Sequence, residues 1–172
     1  MLRWLRRNRG ERRAPPDYAR VAPWLIVGPA LDADGYAHLA EVGVTHVLDL
    51  RSEDSDDPGL MSSLGLSWRR VPIDDREAPA AAQLDEINEW LDSEAGAATV
   101  YVHCQGGLGR SPTVAIALLM RRGFTRAEAH RLVIGARSVA APTDVQAAWL
   151  AELDADSAPA ASSLPPRRDP RG

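Results

Sequence analysis

The sequence predicts an α/β fold in which a mainly parallel central sheet is flanked by helices. Short apolar runs rich in β-branched residues alternate along the chain with segments whose apolar side chains recur at helical spacing. Residues 44–50 are typical of a buried central strand, and residues 80–94 are typical of an amphipathic helix. Capping boxes that begin at Thr125 and Thr143 mark the starts of two further helices. Such alternation is typical of a helix-covered parallel sheet.

Each element follows from a local signal in the chain. Gly28 and Pro29 predict a turn after the first apolar run. Gly43 and Gly123 each end a helix, because glycine readily adopts the left-handed conformation found beyond a helix C-terminus. In chain order, strands are predicted at residues 24–27, 44–50, 66–73 and 99–103, and the helices before the capping boxes at residues 32–42, 80–94 and 112–122.

Composition narrows the function classes. The chain has 172 residues, enough for one domain with its own core. Its net charge of −4 argues against a general nucleic-acid-binding protein, which needs a basic field to release counterions. All twenty basic residues are arginine, a composition typical of a high-GC bacterial genome. The single cysteine excludes an internal disulfide and a cysteine-rich zinc site, and it suits the reducing cytoplasm.

The chain divides into a basic N-terminal arm (residues 1–20), a predicted domain (residues 21–154) and a tail predicted to be disordered (residues 155–172). Two interpretations of the arm stay open. It is a solvated terminus, or Trp4 and Leu5 enter an interface while the arginines contact anionic lipid or an acidic partner. The second interpretation places a cytoplasmic protein in weak contact with a membrane surface. The sequence predicts no particular oligomeric state.

Residues 103–111, His-Cys-Gln-Gly-Gly-Leu-Gly-Arg-Ser, connect the last predicted strand to the following helix. A glycine-rich loop in this place can point backbone N–H groups at a tetrahedral oxyanion, with the helix N-terminus behind them. Cys104 lies in this loop, where the same field would stabilise a thiolate. Arg110 can bind two phosphoryl oxygens through its planar guanidinium. One loop would therefore bind phosphate and supply the nucleophile that attacks it.

The pattern His-Cys-x-x-Gly-x-x-Arg-Ser/Thr resembles the signature of the cysteine-dependent protein-tyrosine phosphatase superfamily. The resemblance implies that Cys104 is the nucleophile, that Arg110 binds phosphate and the transition state, and that Ser111 stabilises the leaving thiolate. His103 would orient the loop through hydrogen bonds. No metal or other cofactor is implied, because loop amides and Arg110 supply the charge stabilisation. The implied phosphate-binding residues are Gln105, Gly106, Gly107, Leu108, Gly109 and Arg110.

The leaving oxygen of a phosphomonoester needs a proton, which a carboxylic acid on a separate loop can supply. Residues 71–79, Val-Pro-Ile-Asp-Asp-Arg-Glu-Ala-Pro, end the third predicted strand and resemble the acid loop of the dual-specificity branch. That resemblance implies that Asp75 is the general acid, with Asp74 as the second candidate. Glu77 lies nearer the next helix and fits a structural role better.

Other polar residues receive structural interpretations. Asp49 and Arg51 are predicted to form an ion pair at a strand end, and Gln146 is predicted to cap a helix. The acidic run at residues 53–57 is interpreted as a solvated loop, close enough to the site to repel acidic substrates.

The chain is most similar to the small dual-specificity and atypical phosphatases, a resemblance that covers residues 21–153. It implies the fold of that branch and hydrolysis of phosphotyrosine, with phosphoserine and phosphothreonine as further substrates, in phosphorylated proteins. Gln105 and Leu108 are uncharged, whereas phosphoinositide phosphatases of the superfamily often carry lysines in the loop. Two alternatives stay open: a phospholipid or small-metabolite phosphatase recruited by the basic arm, and a non-catalytic pseudophosphatase that only binds phosphate.

Overall fold

Five strands form a single sheet in the computed structural model, which describes residues 15–93 and 98–157. They are β1 (Ala19–Ala22), β2 (Leu25–Pro29), β3 (His46–Arg51), β4 (Ser67–Ile73) and β5 (Val100–Cys104). The strands lie in the order β1-β2-β5-β3-β4, and β5 is therefore central. β1 is antiparallel to β2, and the other neighbouring strands are parallel. The predicted mainly parallel sheet is confirmed.

Helices cover both faces of this sheet. They are α1 (Ala33–Glu41), α2 (Pro58–Ser63), α3 (Ala81–Ser93), α4 (Arg110–Arg121), α5 (Arg126–Ala136) and α6 (Asp144–Ser157). Successive strand residues face opposite sides. In β3, Val47 packs with residues of α1 and α2, whereas Leu48 packs with residues of α3, α4, α5 and α6.

Helix α4 is the most deeply buried helix of the domain. Residues 114–119 are all at most 1% exposed, because the sheet lies against one side of α4 and α3, α5 and α6 against the others. Burial of each large apolar side chain stabilises the folded state by roughly 1.5–3 kcal/mol. The loop that leads into α4 is therefore supported by a rigid element.

Both predicted capping boxes are confirmed. The Thr125 side chain accepts from the Glu128 amide, and Glu128 accepts in return from the Thr125 amide. Thr143 and Gln146 form the same reciprocal pair at the start of α6.

Two short elements were not predicted. β1 has four residues, Ala-Arg-Val-Ala, and its pairing with β2 rather than its own pattern makes it a strand. α2 has six residues, too few for a helical period to be recognised, although Asp57 at its N-cap and Pro58 at its first position are typical of a helix start. α4 also begins two residues before the predicted position, at Arg110.

The predicted division of the chain stays a prediction. Residues 1–14, with Trp4 and Leu5 of the arm, and residues 158–172 of the tail lie outside the described residues. β1 begins at Ala19, and α6 ends at Ser157. None of the helices within residues 15–93 and 98–157 has the length and apolar content needed to cross a bilayer.

Candidate active site

The loop of residues 105–109 leaves the carboxyl end of the central strand and enters the N-terminus of α4. Cys104 ends β5 and is 3% exposed. The neighbours β2 and β3 both run parallel to β5, and ligands of such sheets bind beyond the carboxyl ends of the strands. The N-terminus of α4 lies behind the loop and favours negative charge there.

The backbone carbonyl oxygens of residues 105–108 are all bound by other parts of the chain. Gln105 O accepts from the Ala30 amide, and Leu108 O accepts from the Ala141 amide. Arg137 donates to Gly107 O (2.7 Å) and to Gly106 O (3.4 Å). Because the N–H of a trans peptide unit points opposite to its C=O, the amides of residues 106–109 point away from these partners. Gly106, Leu108 and Gly109 line a cavity beside Cys104.

Only glycine fits at position 107. Its φ is +66°, a value that side-chain-bearing residues adopt at a cost. A Cβ there would lie 2.5 Å from Gly28 C and 2.7 Å from Pro29 N, which are backbone atoms of β2. Gly107 is therefore required both by its backbone conformation and by its close contact with the adjacent strand.

Arg137 holds the loop from the side opposite the cavity. It is 4% exposed, and both Nη1 and Nη2 donate to the Asp17 carboxylate at 3.0 Å. This bidentate bond lowers the pKa of Asp17 below its usual value. Asp17 thus fixes the Arg137 guanidinium that binds the two loop carbonyls.

The Arg110 side chain is buried and is held by a carboxylate from another loop. Its Nη1 and Nη2 atoms donate to Glu53 Oε2 and Oε1, both at 2.7 Å, and Nη1 also donates to Ile73 O at 3.0 Å. Hydrogen bonds from Arg110 lower the pKa of Glu53 to about 2. The orientation of the Arg110 guanidinium is thereby set.

Asp75 approaches the same guanidinium from the acid loop. Its Oδ1 atom lies 3.2 Å from Arg110 Nη2, and 74% of its side chain is exposed. Asp75 lines the cavity with Cys104 and Arg110, whereas Asp74 and Glu77 are exposed and are not among the lining residues. Position therefore favours Asp75 over Asp74 for the predicted acid.

The N-terminus of α6 anchors the acid loop. Thr143 Oγ1 donates to Arg76 O, and Gln146 Nε2 donates to Glu77 O, each at 2.9 Å. Gln146 is fully buried, and a Cβ at Gly109 would lie 3.0 Å from its Oε1 atom. Gln146 therefore caps the helix, as predicted, and also lies between the acid loop and the phosphate-binding loop.

His103 lies beneath the loop and is fully buried. Its Nε2 atom is 2.8 Å from Asp56 Oδ2 and 3.3 Å from Tyr36 Oη, and its Nδ1 atom is 3.4 Å from Cys104 O. Its ring also stacks on Tyr101, with the ring centroids 5.6 Å apart. These contacts fix the ring and are consistent with the predicted orienting role.

The interpretation of residues 53–57 as a solvated loop is wrong for Asp56, which is 7% exposed. Burial alone would raise its pKa, but hydrogen bonds from His103 and Tyr36 and the charge of Arg51 hold the pKa below its usual value. Arg51 also forms the predicted ion pair with Asp49, through bonds of 2.9 Å from Nε and Nη2. The buried Arg51 cation compensates both carboxylates, and removal of it would leave two buried charges without compensation.

Asp49, Asp56 and His103 are residue types that bind metal ions, and their ligand atoms lie within 4.8 Å of one another. The Arg51 Nη2 atom already donates to both carboxylates, at 2.9 and 2.7 Å. A metal ion would have to displace this guanidinium, and these residues therefore do not fit a metal site.

Ser111 is fully buried at the start of α4, and its hydroxyl donates to Gly28 O at 3.4 Å. Its predicted role toward the thiolate stays a prediction. The structure brings Cys104, Arg110 and Asp75 together around one cavity of about 400 Å³. The cavity is lined by Asp75, Arg76, Cys104, Gln105, Gly106, Leu108, Gly109, Arg110, Ala141 and Thr143.

Comparison with known proteins adds an independent observation. A family model described as "Polymorphic toxin system, DSP-PTPase phosphatase" matches residues 27–124. Human dual specificity phosphatase 28 is 36% identical over 132 residues, which cover 74% of this chain and 72% of that protein. The chain belongs to the dual-specificity branch of the cysteine-dependent protein-tyrosine phosphatases.

Solved structures of dual-specificity phosphatases and related tyrosine phosphatases share this fold. The active form of Tk-PTP superposes with a TM-score of 0.72 at 29% identity and covers 81% of this chain and 97% of that chain. The structure of human DUSP28 superposes with a TM-score of 0.65 at 30% identity and covers 83% and 96%. The chain is thus a protein phosphatase. The two alternatives, a phospholipid or small-metabolite phosphatase and a non-catalytic pseudophosphatase, have less support.

Several residues of the site were not found by sequence reasoning. Glu53, Asp56 and Arg137 carry no motif of their own, and their partners lie 57, 47 and 30 residues away. One signal was available for the first two, because an acidic run directly after a parallel strand lies at the ligand-binding edge of the sheet.

Proposed function

We propose that this phosphatase hydrolyses phosphotyrosine, and also phosphoserine and phosphothreonine, in proteins through a phosphocysteine intermediate on Cys104. The observation that carries the proposal is the placement of Cys104, Arg110 and Asp75 around one cavity, with Asp75 Oδ1 3.2 Å from Arg110 Nη2. The amides of residues 106–109 supply the anion-binding surface.

In the first step the Cys104 thiolate attacks phosphorus, and the bond from phosphorus to the substrate oxygen breaks. Asp75 donates a proton to the leaving oxygen. In the second step water attacks phosphorus, the P–S bond breaks and the Asp75 carboxylate accepts the proton from water. Inorganic phosphate leaves, and the Cys104 thiolate is regenerated. Ser111 is proposed to stabilise that thiolate.

Arg110 has five N–H donors, and its existing bonds determine which of them remain for the substrate. Nη1 donates to Glu53 and Ile73, and Nη2 donates once to Glu53. The Nε donor and the Nη2 donor that now faces Asp75 remain for two phosphoryl oxygens. Phosphate would therefore take the place of Asp75 at Arg110, and this releases the carboxyl group toward the leaving oxygen.

The test compares three variants on phosphomonoesters with good and poor leaving groups. Cys104→Ser should abolish turnover of p-nitrophenyl phosphate, and retained activity would contradict the proposal. Asp75→Ala should lower kcat by about a hundredfold, and most for poor leaving groups, because these need the proton most. Asp74→Ala is the matched control, and a leaving-group dependence in that variant instead would move the acid to Asp74.

Substrate class and location are also part of the proposal. Gln105 and Leu108 are uncharged, which favours protein phosphomonoesters over polyphosphorylated lipids. A thiolate nucleophile suits a reducing compartment, and basic residues that are all arginine are typical of a high-GC bacterial genome. On these two grounds we propose a cytoplasmic, bacterial protein. Weak membrane contact through residues 1–13 is tested by deletion of that segment and measurement of binding to anionic vesicles. Equal binding before and after deletion would leave the segment without such a role.

A further inference from the structure

Arg76 follows the proposed acid and lines the same cavity, yet the proposed chemistry does not use it. Its side chain is exposed at the edge of the cavity. The Glu77 amide donates to Asp74 O at 3.0 Å, and residues 74–77 therefore form a tight turn with Arg76 in the third position.

The backbone at Arg76 is strained. Its φ is +68°, and among the described residues it is the one non-glycine residue with a positive φ. The third position of such a turn favours glycine, because a Cβ is crowded in the left-handed region. The turn would form more readily with glycine, so folding does not explain why an arginine occupies this position. Strain of this kind often marks a functional position.

The strained backbone is also fixed in place. Thr143 Oγ1 donates to Arg76 O at 2.9 Å, and Gln146 Nε2 donates to the next carbonyl, that of Glu77. Arg76 therefore projects from an anchored backbone at the edge of the cavity.

The charge of Arg76 is available to a ligand. Within residues 15–93 and 98–157, Arg76 forms no ion pair. The neighbouring Asp75 carboxylate contacts Arg110, and Arg110 is itself bound by Glu53. The two cations at the cavity therefore differ: Arg110 is buried beneath the phosphate position, and Arg76 is exposed beside it.

We propose that Arg76 is a specificity-determining residue that binds a second anionic group of a phosphopeptide, next to the phosphorylated residue. The inference rests on the proposed function, because it requires a phosphoryl group over Cys104. A peptide fits better than a lipid head group, because the cavity edge also carries Leu108, which is 47% exposed and uncharged. The second anion is an acidic side chain or a second phosphate, both of which an arginine binds in the same way.

The experiment measures kcat/KM for pairs of phosphotyrosine peptides that differ at one position, glutamate in one and glutamine in the other. The varied position is moved through the two residues on each side of phosphotyrosine. We expect the wild-type chain to prefer glutamate by about threefold to fivefold at one position, the range of a partly exposed ion pair. A third peptide carries a non-hydrolysable phosphonate side chain at the varied position. Comparison of this peptide with the glutamate peptide distinguishes a second phosphate from a carboxylate as the anion that Arg76 binds.

Four variants assign the preference to the charge at position 76. Arg76→Gln and Arg76→Gly should both lower the ratio to about one, although only the second relieves the backbone strain. Arg76→Lys should keep most of the preference. Arg131→Gln is the matched control, because Arg131 is exposed, lies outside the cavity and carries the same charge.

The inference would be overturned by a wild-type chain without a preference for the acidic peptides, or by a preference that survives Arg76→Gln. An effect of Arg76→Gln confined to phosphoinositides in vesicles would also overturn it, in favour of a lipid. Binding of the same peptides to the inactive Cys104→Ser variant, and to the double variant that also carries Arg76→Gln, gives the ratio of affinities for the glutamate and glutamine peptides without turnover. Failure of the proposed function, which is loss of hydrolysis of every peptide, is therefore distinguishable from failure of this inference.

Discussion

Arg110 combines structural hydrogen bonds with the phosphate contact that we propose for it. Glu53 binds its outer edge in a two-bond arrangement that positions both Nη atoms, and Asp75 contacts the donor that we assign to phosphate. Arg110 is 3% exposed, so its orientation depends on these neighbours rather than on water. Glu53 is therefore a positioning residue that acts through Arg110.

We expect Glu53→Gln to lower kcat/KM for p-nitrophenyl phosphate by about tenfold. A neutral amide binds a guanidinium more weakly than a carboxylate does, and glutamine has one acceptor oxygen where glutamate has two. Because the pKa of Glu53 is lowered to about 2, its carboxylate stays ionised above pH ~4, and the loss should be constant between about pH 5 and 8. Steady-state kinetics across that range provide the measurement. Glu86→Gln, at an exposed ion pair with Arg69, is the control. A loss that appears only at one end of the range would show that Glu53 titrates in function.

At the scale of elements, α6 connects the two loops of the site. Its first turn binds the acid loop through Thr143 and Gln146, and the Gln146 side chain also lies against Gly109 of the phosphate-binding loop. A shift of the α6 N-terminus would therefore move Asp75 relative to Cys104. Misplacement of about 1 Å is enough to slow catalysis strongly.

We expect Gln146→Ala to lower kcat by about tenfold for substrates with poor leaving groups and less for substrates with good ones, because the variant loosens the loop that carries the proposed acid. The slope of log kcat against leaving-group pKa is the measurement. Val145→Ala is a matched control, because Val145 is 51% exposed on the same helical turn. Equal losses for all leaving groups would indicate that Gln146 supports the phosphate-binding loop instead.

At the scale of the whole molecule, the site depends on a contact between the first described segment and the residue that follows α5. Asp17 precedes β1 and binds Arg137, which follows α5 and holds the carbonyls of Gly106 and Gly107. The two partners are 120 residues apart in the chain. The segment before β1 therefore belongs to the support of the active site.

Deletion of residues 1–14, which keeps the Asp17 carboxylate that binds Arg137, is the matched control and is expected to leave kcat/KM within about twofold. Deletion of residues 1–18 should lower kcat/KM by about tenfold and lower Tm by several degrees, since it leaves the buried Arg137 without its carboxylate. Thermal melts and p-nitrophenyl phosphate kinetics measure both effects. Asp17→Asn in the full chain should reproduce the loss. Full activity of the longer deletion would show that Arg137 holds the loop unaided.

Much of the fold was predictable because its signals are local. Capping boxes at Thr125 and Thr143, the apolar face of α3 and the apolar runs of β3 and β5 each reside within a few consecutive residues. β1 and α2 were missed for the opposite reason. α2 is shorter than the window of about 11 residues over which a helical period is recognised, and β1 is a strand only because β2 lies beside it.

The active site shows the same difference between features with a local sequence signal and features that depend on neighbours in the fold. The sequence by itself determined the fold class, and it predicted a phosphate-binding loop with Cys104 and Arg110 and a second loop that carries Asp75, because these are contiguous patterns. Only the tertiary structure decided that Glu53 binds Arg110, that Asp56 is buried against His103, that Asp17 and Arg137 support the loop and that Arg76 faces the cavity. A charged side chain pairs with the partner that the packed sheet and helices place beside it. Because that partner lies tens of residues away in the chain, no local pattern identifies it.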